Sequence, residues 1–245
     1  MDKTTLNSIV YELLELRRAY VKDTDPIDKR LVVNWAQSQR ARLLKQKFDQ
    51  PMSSIDDHYI QSLGAIEMVK VISNELSTIS VPVDEYTYMY RTLITIPRTI
   101  ENKEGKGTFT RIGSADRISE KFTVTTYEKA LASGNGKFNQ NSIYAFVLGD
   151  YIYLTSKSGI HFTIKYIDIR GVFQDPIEAA LIKDLTWNFN SDYPINKEII
   201  DQLKVLIINE KFGLTLIQAG DKTDNREDNP EGVTKNPNLP KNASV

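Results

Sequence analysis

The stretch SIYAFVLGDYIYL, residues 142–154, decides the fold class of this chain. Two runs rich in β-branched and aromatic residues, 144–148 and 151–154, flank Gly149 and Asp150. A Gly-Asp pair between two such runs is typical of a tight turn in a β-hairpin. Further runs of similar composition lie outward from this hairpin, at 80–83, 88–96, 108–112, 121–127 and 160–169. The middle of the chain, about 77–173, is therefore predicted to be mostly antiparallel β-sheet.

Helical patterns precede this sheet region. Residues 5–19 repeat apolar side chains at helical spacing, and a second helix is predicted from an N-cap at Asp28 to about Phe48. A third helix is predicted over 56–76, where apolar residues cover most sides of the helix. A helix that is apolar on nearly all sides is buried, so we expect this one to lie inside the domain or against a neighbouring subunit.

Helical patterns also follow the sheet region. Asp175-Pro176 has the pattern of an N-cap followed by proline at the first helical position, which predicts a short helix ending near Asp184. A longer helix is predicted to open at Asp192 or Pro194 and to run to about Lys211, because its apolar residues share one face. The chain therefore reads as helices, then sheet, then helices.

This order predicts an α+β fold in which the N- and C-terminal helices build one helical layer and a mostly antiparallel β domain is inserted between them. The predicted parts are an N-terminal helical part (1–76), a β-rich insert (77–175), C-terminal helices that complete the helical part (176–218), and an extended polar tail (219–245). The tail contains three prolines and no aromatic residue. Such a segment cannot bury enough apolar surface to offset the entropy lost on ordering.

The composition is that of an ordinary globular protein, with 40% hydrophobic residues, 26% charged residues and a net charge of −1. The near-neutral charge argues against a protein devoted to coating nucleic acid or membrane. The chain has no cysteine, which excludes disulfides, thiolate metal sites and cysteine nucleophiles. We find no apolar run of about 18 residues and no signal-peptide pattern, so we expect a soluble intracellular protein without a membrane partner.

No motif indicates a catalytic site, a metal site or a cofactor. His58 lies beside Asp56 and Asp57, but adjacent residues of a helix point in different directions. Solvated acids next to an ordinary histidine are therefore the favoured interpretation. His161 is predicted to lie in a strand, on the less apolar face opposite Ile160. The sequence thus predicts a protein that is not an enzyme and holds no cofactor.

The second predicted helix carries four basic residues that could face a nucleic acid: Arg40, Arg42, Lys45 and Lys47. A helix that lines a DNA channel uses such side chains on phosphates without reading bases. A helical wheel places Arg42 with Lys45 and Arg40 with Lys47, on roughly opposite sides. A solvated and ion-paired helix surface is therefore the favoured interpretation, and a DNA-facing surface is its alternative.

Three segments of the chain have the pattern of one group of phage proteins: LRRAYVKDTDPIDKRLVVNWAQSQRARLLKQ (16–46), SIYAFVLGDYIYL (142–154) and DPIEAALIKDLTWNFNSDYPINKEIIDQLKVLIINEKFGLTLIQAGDKTDNREDN (175–229). On these segments the chain resembles the head–tail connector (ring or adaptor) proteins of tailed phages, and it is most similar to the ring proteins of crAss-like Bacteroides phages. The likeness is one of overall pattern, since the segments contain no catalytic signature.

The resemblance implies a structural virion protein, made in the host cytoplasm, that forms a homo-oligomeric and usually dodecameric ring below the portal. Such a ring continues the DNA channel used for viral genome ejection and provides a platform for tail assembly. The implied partners are the portal protein, neighbouring ring or tail proteins, and packaged DNA through non-specific contact. The implied portal- or ring-binding residues of the tail are Asp221, Arg226, Pro230, Pro237, Leu239 and Pro240. The alternative function is that of a nucleic-acid-associated accessory protein.

Overall fold

The computed structural model of the chain describes residues 4–20, 27–50, 55–71, 89–103, 105–116, 121–133 and 138–212. The described helices are α1 (Leu6–Tyr20), α2 (Lys29–Phe48), α3 (Tyr127–Ala132), α4 (Pro176–Lys183) and α5 (Lys197–Lys211). The strands are β1 (Gln61–Lys70), β2 (Tyr90–Thr92), β3 (Phe109–Ser114), β4 (Thr123–Val124), β5 (Tyr144–Leu148), β6 (Tyr151–Thr155) and β7 (Tyr166–Gly171). Helices and a sheet in this proportion confirm the predicted α+β class.

The seven strands form one sheet in the order β3-β7-β1-β2-β6-β5-β4. Neighbouring strands are antiparallel except β4 and β5, which are parallel. The sheet curls until its two ends nearly meet, because Gly113 of β3 forms a bridge with Lys121 and the Phe122 amide donates to the Ile112 carbonyl at 2.8 Å. The result is a nearly closed barrel in which most strand edges already have a partner.

The helices α1, α2 and α5 pack against one another and share one apolar cluster. Asp28 caps α2 by accepting from the Arg30 amide, and Asn196 caps α5 by accepting from the Ile199 amide. The fully or nearly fully buried members of this cluster include Leu6, Ile9, Leu13, Val32, Leu44, Leu203 and Ile207. We call α1, α2 and α5 the helical cluster.

Two further apolar clusters belong to the barrel. The first fills its interior with aliphatic side chains such as Leu63, Ile112, Leu154 and Ile167. The second lies on the other face of β5 and β6, where α3 covers a group of aromatic rings. The short helix α4 packs along β1, and its Ala179 belongs to the interior cluster, so α4 seals one side of the barrel.

The third predicted helix, 56–76, is wrong over 56–71, and residues 72–76 lie outside the described residues. Asp56 caps only a single 3₁₀ turn, Asp57–Tyr59, and the chain then enters strand β1. Gly64 has φ +78°, and the pairing of β1 with β7 shifts between Ser62 and Ala65. This bulge breaks the alternation of the strand, so Leu63 and Ile66 are both buried and their spacing imitates a helix. The apolar pattern of 56–76 therefore gives no sign of a helix between subunits.

Several other boundaries differ from the prediction. Residues 160–163 form a 3₁₀ turn that begins after Gly159, at φ +72°, and the strand starts only at Tyr166. The break changes which residues face inward, so Ile167 and Ile169 are buried while Phe162 and Tyr166 are exposed. The predicted strand at 121–127 shortens to β4 and gives way to α3, and α5 begins after Asn196 rather than at 192 or 194. The strand predicted at 80–83 lies outside the described residues.

The predicted hairpin at 144–154 is confirmed, with Leu148 paired to Tyr151 across the turn. Asp175 caps α4, which has proline in its first turn, and α2 runs from its Asp28 cap to Phe48, both as predicted. The four-part division of the chain stays a prediction, although β1 lies within the part assigned to helices. The polar tail falls among residues 213–245, which are outside the described residues.

The hairpin turn gives a first testable prediction. Gly149 has φ +60° and open space around the position of an added Cβ atom, so backbone conformation alone decides the effect of a substitution there. Gly149→Val should lower the free energy of unfolding by about 1–2 kcal/mol, while Gly149→Asn, which tolerates the left-handed region, should cost clearly less. Urea denaturation of the two variants checks this; equal losses would show that φ does not govern the position.

Candidate assembly and nucleic-acid surfaces

Arg40 lies at the centre of the junction between the helical cluster and the barrel. It is fully buried. Its Nε donates to the Pro194 carbonyl at 2.9 Å and its Nη1 donates to the Phe173 carbonyl at 3.0 Å. Its guanidinium also lies 5.7 Å from the centre of the Tyr193 ring. This one side chain of α2 therefore binds two other segments: Phe173, just after β7, and Pro194, just before α5.

This position corrects the prediction that Arg40 faces a DNA channel. A guanidinium without solvent exposure cannot reach a phosphate on the outside of the molecule. Burial lowers the pKa of Arg40 and raises the pKa of Tyr193 to about 12, because removal from water disfavours the charged form of each group. The role of Arg40 in this chain is to satisfy two buried carbonyl groups.

The other three candidate DNA-facing residues, Arg42, Lys45 and Lys47, lie on the surface, but two of them have carboxylate partners. Arg42 pairs with Glu210 of α5 at 2.8 Å, and Lys47 lies 3.5 Å from Glu198. Lys45 is exposed and forms no ion pair with a described residue. Arg42 and Lys47 therefore agree with the ion-paired helix surface that the sequence favoured. Lys45 is the cation of this group most available to an external phosphate.

Glu210 holds α2 against α5. It accepts from Arg42 through one oxygen and from Gln39 through the other, at 2.8 Å and 2.9 Å. These bonds, with Arg42 first among the causes, hold the pKa of Glu210 below its usual value. Since each bond favours the charged carboxylate, the contact strengthens with ionisation.

Glu210→Gln should therefore reduce stability at neutral pH, and the difference from the wild type should vanish in acid. A carboxyl with a lowered folded-state pKa stabilises the protein above its unfolded-state pKa, and this contribution is lost as the pH falls through the folded-state pKa. Thermal midpoints of the two proteins between pH 7 and about pH 3 test this. A difference that persists unchanged in acid would assign the effect to the shape of the side chain.

The histidines and acids singled out from the sequence serve local structure. Asp56 accepts from the His58 amide at 3.1 Å, so it acts as a cap rather than as a ligand. His161 is buried in the 3₁₀ turn against Tyr90 and Phe162, not on a strand face as predicted. Among the described residues, no group of three or more histidines or acids could hold a metal ion. In the same part of the chain, no helix is long and apolar enough to cross a membrane.

The segment between α4 and α5, residues 184–195, exposes large apolar side chains; we call it the aromatic loop. Leu185 is 88% exposed and Phe189 is 42% exposed. The Trp187 and Phe189 rings meet edge to face, with 5.9 Å between their centres and 77° between their planes. Sequence reasoning missed this surface, although the signal was present: one Leu, one Trp and one Phe stand among turn-forming Asn, Ser and Asp residues.

The aromatic loop is held by hydrogen bonds on both sides. The Asn7 amide of α1 donates to the Phe189 carbonyl at 3.0 Å, and the Asn7 side chain donates to the side chain of Asn190 at 2.9 Å. Asp184 accepts from both the amide and the hydroxyl of Thr186, which lowers the pKa of Asp184. The loop therefore presents its apolar side chains from a fixed backbone, which reduces the entropy lost on binding.

A pocket of about 690 Å³ lies at the base of this loop. Its walls come from the 3₁₀ turn before β1, from the end of α4, from the aromatic loop and from the start of α5. The charged side chains that line it are Asp57, Asp184, Asp192, Lys183 and Lys197, and Trp187 lines it as well. The surface thus combines aromatic rings with a small excess of carboxylates.

The predicted tail-binding residues, Asp221, Arg226, Pro230, Pro237, Leu239 and Pro240, all lie outside the described residues. Their role stays a prediction.

Comparison with known proteins gives one finding on the whole chain. The model of a family described as phage tail ring protein 2 matches residues 8–230, which include the helical cluster, the barrel and the aromatic loop. No curated protein matches the chain.

Proposed function

Because the chain belongs to the phage tail ring protein 2 family, among the ring proteins of crAss-like phages, we propose that it forms a homo-oligomeric ring in the connector between portal and tail. The family match over residues 8–230 is the observation that carries this proposal. It supports a structural role in the virion tail. The proposal has three more detailed parts: the ring lies next to the portal, it contains twelve copies, and it surrounds the channel for genome ejection.

The shape of the chain suits a ring subunit. Arg40 joins the helical cluster to the barrel, and Glu210 joins α2 to α5, so both contacts oppose relative movement of the parts. A ring forms when one surface of a subunit binds a different surface of the next copy and the rotation closes. Subunits of fixed shape repeat the same angle at each step and therefore close with a defined copy number.

Contact with DNA in the channel would be non-specific in this proposal. Helix α2 contains six Lys and Arg residues and no acid, and all of them except Arg40 keep surface exposure, including Arg42, Lys45 and Lys47. Pairing with Glu210 and Glu198 reduces the field of two of these cations. A weakly positive wall of this kind lets DNA pass without binding it tightly. The proposal includes no catalysed reaction.

Electron microscopy of the purified chain, alone and co-expressed with the portal protein of the same phage, tests the proposal. We expect rings of uniform diameter, at least in the presence of the portal, and the symmetry of class averages gives the copy number. A chain that stays monomeric with the portal and is absent from the portal–tail junction of intact virions would contradict the proposal.

The alternative, a nucleic-acid-associated accessory protein, rests on the same exposed cations of α2. It predicts that the isolated chain binds duplex DNA with an affinity that falls steeply with salt. Arg42→Glu with Lys45→Glu would then abolish binding while Arg18→Glu, a matched exposed change on α1, would not. Absence of measurable binding at about 50 mM salt would remove this alternative.

A further inference from the structure

The aromatic loop has the chemistry of a surface that binds proline-rich peptide. Such surfaces use aromatic rings to receive the flat faces of proline, and they exploit the preformed polyproline II conformation of the peptide. The Trp187 and Phe189 rings meet edge to face and so present aromatic surface in two nearly perpendicular planes, and the exposed Leu185 extends the apolar surface. Exposed apolar side chains that lie together and are rimmed by polar residues are typical of binding sites.

The charge of the surface selects among partners. Residues 184–196 contain Asp184 and Asp192 and no Lys or Arg, and the adjoining pocket adds Asp57, Lys183 and Lys197, so carboxylates outnumber lysines by three to two. A surface with this small excess of carboxylates does not favour the phosphates of DNA. It attracts a peptide whose prolines are flanked by cations, because the aromatic rings and the carboxylates can then both be satisfied.

This chain itself contains such a peptide in the sequence KNPNLPK, residues 235–241. Pro237 and Pro240 are separated by two residues, which is one turn of a polyproline II helix, so both would lie on the same side about 9 Å apart. Lys235 and Lys241 flank the pair, and Leu239 supplies one aliphatic side chain.

The intervening chain is long enough to bring this peptide to the loop. Helix α5 begins beside the pocket, where Asn196 and Lys197 line the wall, and ends at Lys211, about 22 Å further along its axis. Residues 213–236 can span up to about 80 Å when extended. The same length reaches the loop of the same copy or that of an adjacent copy.

We propose that the segment Lys235–Lys241 docks on the aromatic loop of a copy of this chain, with the prolines against Trp187 and Phe189 and the two lysines towards Asp184 and Asp192. The contact does not depend on the ring proposal, since it can form within one chain or between two. Such a contact would cover the exposed apolar side chains of the loop with Leu239 and the two prolines.

Photo-crosslinking of the full-length chain tests this contact. Because the chain has no cysteine, Asn242→Cys introduces a single thiol that can carry a benzophenone maleimide next to Lys241. After irradiation, mass spectrometry should find the label attached to peptides that contain residues 184–195. Attachment within one chain or between two chains supports the proposal equally, and gel migration separates these cases.

Two sets of variants control the experiment. Pro237→Ala with Pro240→Ala changes only the docking segment, so the folded body stays intact, and we expect the crosslink yield to fall about tenfold. Trp187→Ala should have a similar effect, whereas Phe138→Ala, at a residue that is 93% exposed in another turn, should have none. Attachment mainly outside 184–195, or an unchanged yield in the double proline variant, would overturn the proposal. Because rings are scored separately by microscopy, failure here leaves the ring proposal standing.

Discussion

Arg40→Ala should be among the most destabilising single substitutions in the body of this protein. It would leave the buried carbonyl groups of Pro194 and Phe173 without their donor and open a cavity between the helical cluster and the barrel. An unsatisfied buried acceptor costs about 1–3 kcal/mol and a truncated core side chain adds a cavity cost, so we expect a loss of about 3–5 kcal/mol. Urea denaturation of the purified variant measures the loss.

Two companion variants show whether the hydrogen bonds cause the effect. Arg40→Lys keeps the charge but cannot reach both carbonyls with a planar fork, so it should recover only part of the loss. Arg30→Ala removes an exposed arginine from the same helix and should change stability by about 0.5 kcal/mol or less. A loss for Arg40→Ala no larger than that for Arg30→Ala would show that the junction does not need the guanidinium.

Phe146→Ala is expected to have a comparable effect on the barrel. Phe146 is fully buried, stacks on Tyr153 at 5.5 Å with only 9° between the ring planes, and contacts Tyr127 of α3. Removal of its ring should cost about 3–5 kcal/mol through lost burial and the cavity that remains. It should also release α3, whose packing on β5 depends on this ring.

Phe138→Ala is the matched control, since it makes the same chemical change at a residue that is 93% exposed. We expect it to alter the free energy of unfolding by about 0.5 kcal/mol or less. The two thermal midpoints should therefore differ clearly. Similar midpoints would mean that the aromatic cluster on β5 and β6 is not a cooperative part of the fold.

Local signals in the sequence predicted the elements that local interactions define. Asp28 and Asp175 cap their helices through bonds to amides two or three residues away, and Gly149-Asp150 closes a turn between adjacent strands. The residues concerned are neighbours in the chain, so their pattern alone determines the outcome. The same holds for α1, whose apolar residues recur at helical spacing.

The predictions were wrong where contacts between residues far apart in the sequence determine the structure. The bulge at Gly64 exists because β1 must pair with β7, about a hundred residues away, and no pattern within 56–76 contains that information. In the sequence, nothing distinguishes Arg40 from a surface arginine. Its burial depends on Phe173 and Pro194, whose carbonyl groups reach it only in the folded chain. The aromatic loop was overlooked for a related reason. Only the folded chain shows that the backbone amide of Asn7 donates to the loop and that Leu185 is exposed to solvent.

The helical cluster is built from both ends of the described chain, so its core cannot form until late in translation. Helices α1 and α2 need α5 to cover their apolar faces, and Lys204 of α5 pairs with Glu12 of α1. At about 5–20 residues per second, the ribosome delivers α5 roughly 10 to 35 seconds after α1. During that interval the nascent chain carries an incomplete core, on which a chaperone can act. The core of the helical cluster can therefore become complete only after translation has passed residue 211.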